Sequence, residues 1–484
     1  MIMKRIYLIL IVLVGISVSC TKNFEDWQKD TKHPSEVPGD MLFTNAQKAM
    51  TDQVSETNVN WNNFKLWAQY WTETTYTDEA NYDLINRNIP DNVYRVFYTG
   101  VLKDLREAKM LIAEEAPVTD VGRVAQANRI LIAEIIEVYV WQRLVDIFGN
   151  IPYTEALDID ATLNPSYEDG FTIYKDLFDR LDAAMGALDQ NGGSFGGADV
   201  VYQGDVSAWY KFANALKVRM AVTIADADNG YASTKFNEAN ANAFSSNADN
   251  AEVVYDAAPL ASTNPLYQSL VASGRNDYVA ANTMIDYLKA LDDPRIDVYY
   301  DKYDLEEHVG GEYGYTSAFY SFSHVGTAMH QPTFPGTLLS FVELEWYRAE
   351  AASRGWGGDA KTHYDNAIKA SFDWWGVAGA DDYLAKPEVD FAQASTSEGS
   401  EMNAIAKQAY LGLYERGFVA WTTLRRLDYP ELNVPEAPNT TDGLTPRRFT
   451  YPVNEQTLNE DNYYQAADAI GGDAMETKLF WDKN

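Results

Sequence analysis

The chain has 484 residues, 46% hydrophobic and 23% charged, enough for a large core in one big domain or in two to three smaller ones. Its formal charge of −33 argues against nucleic acid, whose phosphates need a basic face, and against a hold on anionic lipid through basic patches. Aromatic residues reach 13%, and tyrosine and tryptophan offer flat apolar faces with a polar handle, suited to sugar rings or peptides as well as to a core.

Met1–Ser19 reads as a signal segment. Lys4 and Arg5 form a basic start, Ile6–Val14 is an almost unbroken apolar run, and Gly15, Ser17 and Ser19 are small. The run is too short to span a bilayer comfortably. Cys20 is next and is the only cysteine, so an intramolecular disulfide is impossible. Losing Met1–Ser19 would remove two basic residues and no acid, leaving the remainder more acidic still. Thr21–Gly39 is polar, with Pro34 and Pro38, and reads as a tether into the fold.

Met41–Val54 is predicted helical, with Phe43, Ala46, Ala49 and Met50 on one side. Trp61, Trp67 and Trp71 then crowd into a short stretch, in which Trp67, Tyr70 and Trp71 share a helical face and suit a core. Thr72–Asp83 is too polar and β-branched to continue that helix and reads as a loop exposing Tyr76 and Tyr82. Long helices are predicted over Asp91–Glu115, Val121–Phe148, Tyr167–Leu188 and Val206–Ala225, with a shorter one over Asn237–Asp249. The second of these is apolar around nearly its whole circumference. Asn191–Gly197 is a glycine-rich surface loop.

Glu252–Pro335 has a different texture. Only Asn282–Leu291 reads as helix, and Tyr299, Tyr300, Tyr303, Tyr313, Tyr315, Phe319, Tyr320 and Phe322 come after it in irregular sequence. A long irregular segment inside a compact protein is either functional or a cap whose aromatics pack on the rest. Thr337–Trp375 then forms a helical hairpin of tetratricopeptide type. Leu338, Phe341, Leu344, Tyr347 and Ala351 make one stripe, and glycines at 355, 357 and 358 break it. Asp359 caps the second helix, whose stripe is Tyr364, Ala367, Ile368, Ser371 and Trp375. Pro387–Ser400 reads as a polar loop and Met402–Arg426 as one more helix.

No chemical motif stands out. Asp226–Gly230 has the flavour of a calcium loop, but its glycine is fifth and Asn237 takes the place of the closing glutamate, so it reads as a helix end. The five histidines show no metal-ligand spacing. Gly192-Gly193-Ser194-Phe195-Gly196 matches the nucleophile-elbow pattern, yet it comes after a helix rather than a strand. A helical glycosidase or lyase built on paired carboxylates and a purely structural surface protein are the rival readings; among 71 acids no pair is marked out.

Several segments together resemble the SusD/RagB family of nutrient-binding outer-membrane lipoproteins, in its second SusD-like subfamily. They are the lipobox-like Cys20, Trp67-Ala68-Gln69, Asp146-Ile147-Phe148-Gly149-Asn150-Ile151-Pro152-Tyr153, Trp209–Arg219, Gly274-Arg275-Asn276-Asp277-Tyr278, Asp293-Pro294-Arg295, Glu345–Trp356, Gly417–Pro430 and Arg447–Pro452. Asn150 departs from the pattern, where aspartate is expected, though an amide can cap locally. The resemblance implies an all-α fold of tetratricopeptide-like hairpins (SusD-like), with an irregular aromatic-rich subregion forming the ligand face. It divides the chain into a signal peptide at 1–19, a lipidated tether at 20–39 and one domain at 40–484. It implies acylation of Cys20, an outer-membrane location at the cell surface, and a SusC-like TonB-dependent transporter as partner. It implies no enzyme activity, no cofactor and no metal. The expected ligand is an oligosaccharide, with a peptide as the alternative. Aromatic density outside the helical stripes selects Trp61, Tyr76, Tyr82, Tyr299, Tyr300, Tyr315 and Tyr320 as stacking residues, with Arg275, Asn276, Asp277 and Tyr278 as polar neighbours.

Overall fold

Helix α1, Gly39–Ser55, opens the described part of this computed structural model, which comprises residues 37–483. The predicted signal segment, Cys20 and most of the tether lie outside the described residues. The apolar stripe of α1 (Phe43, Ala46, Met50) is fully buried. It packs on a long rod in which α2 (Ile89–Arg95) runs through a π-helical turn at Val96–Leu102 into α3 (Lys103–Glu114). The π turn brings Phe97, Tyr98, Val101 and Leu102 inward together.

Helix α4, Asp120–Phe148, starts with Thr119 accepting from the Gly122 N–H. From Ile135 to Phe148 every residue is buried, in keeping with its apolar circumference. Glycine ends it, with φ +87° at Gly149. The next residue, Asn150, accepts from the Gly170 N–H at 2.9 Å and so ties the turn to the start of α5, Gly170–Ala187. The amide thus does the capping that an aspartate would do. Tyr167, predicted to begin this helix, lies in β3 (Tyr167–Glu168), paired antiparallel with β2 (Ile151–Pro152).

Helix α6, Val206–Thr223, pairs with α7, Asn229–Ala239. This corrects the predicted helix over 237–249. The Asp228 side chain accepts from the Tyr231 N–H, so the stretch that looks like a metal loop is an N-cap, and the chain from 240 to 249 makes only short 3-10 turns.

The hairpin of α9 (Phe341–Ser353) and α10 (Ala360–Trp375), reached after α8 (Asn282–Ala290), stands as predicted: Gly355 has φ +81° and Asp359 accepts from the Thr362 N–H at 2.7 Å. Leu338 is the exception. It belongs to β8 (Gly336–Leu339), paired with β4 (Ala251–Val253), and is buried from a strand rather than a helix. Two further expectations need correcting. The polar loop over 387–400 contains α11, Phe391–Ser397, capped by Asp390. The single helix over 402–426 is two, α12 (Glu401–Gly412) and α13 (Gly417–Leu427). The break lets Gly417 sit against the backbone of Phe64 and Lys65, where a Cβ would come within 2.7 Å of the Lys65 nitrogen.

Helices α3 to α7, α9, α10, α12 and α13 therefore pack as successive antiparallel pairs, the all-α arrangement expected. Ion pairs, one buried and one half-buried, lock the pairs together. Arg426 on α13 forks onto Glu350 on α9 at 2.7 and 2.8 Å, and Arg354 forks onto Asp226 beyond α6 at 2.6 and 3.0 Å. A polar patch of Gln142, Tyr174, Trp481 and Asp146 lies at the end of α4, and the Arg448 guanidinium donates to the Phe148 carbonyl at 3.0 and 3.2 Å. The C-terminal segment thereby closes the end of α4.

Candidate functional site

Strand β1, Trp71–Glu73, pairs antiparallel with β5, Tyr278–Ala280. The Thr74 N–H and hydroxyl extend the pairing by donating to the Asp277 and Asn276 carbonyls at 2.9 and 2.6 Å. This short ribbon brings the N-terminal loop and the irregular insertion to one edge. The insertion is stitched onto it. The Ala280 N–H donates to the Ser323 carbonyl and the Ala280 carbonyl accepts from Gly311, both at 2.8 Å, while the Ser317 N–H donates to the Glu73 carbonyl. Asn81 fastens the far side, donating to the Gly314 carbonyl at 2.8 Å and accepting from the Ala437 N–H at 2.7 Å. Gly314 is required there: φ is +79°, and a Cβ would lie 2.4 Å from that of Pro435.

At this edge Tyr76 is 71% exposed, and Tyr315 projects from the neighbouring turn. Arg275 and Asn276 are exposed on the same ribbon. The Arg275 guanidinium forks onto Asp277 at 2.6 and 2.9 Å, which holds its cation in place. The strand pair β6 (Tyr300–Asp301) and β7 (His324–Val325) carries a second aromatic group. Tyr303 and Tyr320 lie 5.7 Å apart, 52% and 65% exposed, and His324 stacks on Phe319 at 3.7 Å beside them. His324 also meets the Phe319 carbonyl at 3.0 Å, fixing the group. Tyr303 and Phe319 stand in the aromatic run of the sequence but are absent from the predicted site.

Four of the predicted ligand residues are core. Tyr82 is fully buried against Trp67 and Tyr313. Tyr278 is enclosed and donates to the Thr57 carbonyl at 2.6 Å. Tyr299 stacks on Tyr414 at 4.2 Å and donates to the Leu411 carbonyl, and Tyr300 donates to the Tyr70 carbonyl at 2.6 Å. A ring enclosed by its neighbours, with its hydroxyl already bonded, has nothing left for a ligand. Burial pushes the Tyr299 phenol up to about 12. Trp61 is half-buried, with the Arg95 guanidinium 4.9 Å over its ring. As predicted, Trp67, Tyr70 and Trp71 are fully buried.

Behind the exposed edge two carboxyls are enclosed. Glu73 accepts from the Ala80 N–H at 2.9 Å, and Glu79 is bonded by Arg87. Burial, with Glu79 facing it, holds the Glu73 carboxyl well above the usual range. Among the described residues no group of three or more His, Cys, Asp or Glu is placed to hold a metal ion, and no helix is long and apolar enough to cross a membrane.

A family model described as SusD-like, "starch-binding associating with outer membrane", matches residues 31–452. The chain belongs to the SusD-like family. No curated protein matches it. Solved structures are similar over nearly the whole chain. A chitin-binding protein shares 25% identity with a TM-score of 0.78, covering 92% of this chain and 100% of its own. A chitin-binding SusD homologue from Flavobacterium johnsoniae shares 24% at a TM-score of 0.75, covering 92% and 98%. A SusD homologue from Bacteroides thetaiotaomicron shares 23% at 0.76, covering 93% and 100%. This SusD-like chain thus has the tetratricopeptide-like fold of its relatives; Tyr303, Tyr315 and Tyr320 are exposed in the irregular insertion and Tyr76 in the N-terminal loop.

Proposed function

We propose that this SusD-like protein captures glycans at the cell surface without altering them and passes them to a SusC-like TonB-dependent transporter. In this reading acylated Cys20 anchors the chain in the outer membrane, residues 20–39 are the tether, and residues 40–484 are one ligand-binding body. The observation that carries it is the exposed tyrosine edge, with Tyr76 and Tyr315 beside Arg275 and Asn276 and with Tyr303 and Tyr320 on the adjoining strand pair. Flat apolar faces flanked by hydrogen-bonding side chains suit pyranose rings, whose faces are apolar and whose rims carry hydroxyls. The family description and the two chitin-binding relatives favour glycan over peptide.

A non-catalytic role is favoured by the state of the paired carboxyls. Glu73 and Glu79 have side chains enclosed by the protein and engaged with Ala80 and Arg87, away from any surface a glycosidic bond could reach. The test is calorimetry of the full chain, in a detergent without a sugar headgroup, against a polysaccharide panel and a peptide digest. Saturable heat with one glycan and no released sugar is expected. Heat with peptides alone would move the ligand class, and product release would overturn the non-catalytic reading. Loss of the lipid mass on Cys20→Ser tests the anchor.

A further inference from the structure

Three guanidiniums are enclosed where the helical pairs meet. Arg143 on α4, Arg219 on α6 and Arg416, just ahead of α13, are 1%, 3% and 7% exposed. Shared partners tie them into one group. Arg143 and Arg219 both lie against the Tyr139 ring, 5.8 and 4.7 Å from its centroid. The Tyr139 hydroxyl and Arg416 Nη2 both donate to the Leu338 carbonyl, at 3.0 and 2.7 Å. Arg219 and Arg416 approach the two oxygens of the buried Glu343 carboxylate, at 3.5 and 3.2 Å.

Their donors are only partly used. A guanidinium has five N–H groups and accepts nothing. Arg219 Nη2 donates to the Gln142 side-chain oxygen at 2.7 Å, and Arg416 Nη2 to Leu338. Among the described residues, Arg143 Nε and Nη1, Arg219 Nε and Nη1 and Arg416 Nη1 are enclosed without a hydrogen-bond partner. Arg143 is the extreme case. Its guanidinium stacks on Phe418 at 3.8 Å, and the charged groups it faces are Arg219 and Arg416. Burial, and then the fields of those two, lower its pKa to about 10, so it stays a cation at pH 7.

The charges are as unbalanced as the hydrogen bonds. Lys65, Arg143, Arg219 and Arg416 face Glu343 and Glu415. Asp146 also faces Arg219 but is shared with Arg425, and Glu56 faces Lys65 from a half-buried position. A buried cation without a counter-charge is strongly disfavoured. Water would engage the donors and leave the charge, whereas an anion answers both. Size narrows the class. The cavity bordered by Arg416, Thr337 and Ser340 is about 20 Å³, room for one occupant the size of a water or a halide. The Thr337 hydroxyl there is a further enclosed group without a partner among the described residues. Sulfate, phosphate and sugar acids are too large. We infer that Arg143, Arg219 and Arg416 enclose one small monovalent anion of chloride size, a structural ion at the junction of α4, α6, α9 and α13. The inference does not depend on the glycan reading.

The test follows unfolding of the full-length chain, in a non-ionic detergent, after dialysis into sodium gluconate, whose anion is too large to enter. Chloride or bromide added at constant ionic strength should raise the thermal midpoint and saturate, by about 2–3 °C at a hundredfold excess over the dissociation constant. Crystals grown with bromide as the sole halide should show an anomalous peak in contact with Arg143 and at least one of Arg219 and Arg416. Arg143→Met removes the unpaired cation and should abolish the halide-dependent shift. Equal midpoints in chloride and gluconate would overturn the inference, and so would water in place of bromide at the three guanidiniums. A bromide peak without a halide-dependent midpoint would mean an adventitious ion only and would overturn the structural role. A shift that survives in Arg143→Met would overturn this site by placing the ion elsewhere. Should that variant fail to fold, the parent's titration and bromide map decide by themselves.

Discussion

Asp146→Asn tests the electrostatics of the buried polar patch that closes α4. Asp146 is fully buried, and its carboxylate accepts from the Tyr174 hydroxyl at 2.6 Å and the Trp481 indole at 3.1 Å, with Gln142 against its other oxygen. Burial pushes its pKa up from 3.8 to about 6, outweighing these bonds and the fields of Arg425 and Arg219. A carboxyl raised in the folded state binds its proton more tightly there than in the unfolded chain. Its contribution is therefore fully present below pH 3.8 and is lost as pH rises through about 6. At about 1.4 kcal/mol per unit, the loss between pH 4 and pH 7 comes to about 2.4 kcal/mol, a little under half of it by pH 5. Asparagine does not titrate. Whatever fixed cost the substitution carries, the stability of the variant relative to the parent should climb by that amount over this range. Urea unfolding followed by tryptophan fluorescence at pH 4, 5, 6 and 7 reads the difference directly. Parallel pH profiles for parent and variant would refute the reasoning, since they would mean that the arginines already ionise Asp146 at pH 4.

Arg426→Met leaves Glu350 buried with only Arg354, at 3.0 Å, and should cost about 3 kcal/mol in urea unfolding; Arg426→Met with Glu350→Met should recover most of it, because Arg354 keeps Asp226. Tyr299→Ala empties a core position and should cost about 3–5 kcal/mol. Tyr320→Ala, on the surface, should change stability by less than about 0.5 kcal/mol while weakening glycan binding in calorimetry. Equal stability losses for the two would refute the division between core and exposed tyrosines. Gly314→Ala forces a Cβ against Pro435 and a side chain into φ +79°, and should cost about 1–3 kcal/mol by the same unfolding assay.

Much of the scaffold is legible because its signals are local. Asp359, the glycines after Arg354 and the two apolar stripes define the α9–α10 hairpin from within the segment itself. The failures occur where a distant contact overrides a local pattern. Leu338 fits the helical stripe of α9, yet pairing with Ala251–Val253 draws it into a strand. The run from 402 to 426 is continuous in helical residues, and the break ahead of Gly417 answers to the backbone of Phe64 and Lys65, more than three hundred residues away in sequence. Asp228 illustrates a different error. The stretch 226–230 reads as the end of a helix, and the Tyr231 N–H bonded to the Asp228 side chain shows that it also caps the start of the next one.

The proposed ligand face is harder to read because tyrosine does two jobs with one side chain. Density of aromatics outside helical stripes picks out the insertion, and Tyr76, Tyr315 and Tyr320 are indeed exposed. It cannot separate them from Tyr299 and Tyr300. These are core because a phenol can be buried cheaply when a backbone carbonyl accepts its proton, as Leu411 and Tyr70 do here. Those carbonyls come from α12 and from the end of the first aromatic stretch, so no window of the insertion contains the information. Tyr303 lies only three residues beyond Tyr300 and is 52% exposed, because the chain leaves β6 between them.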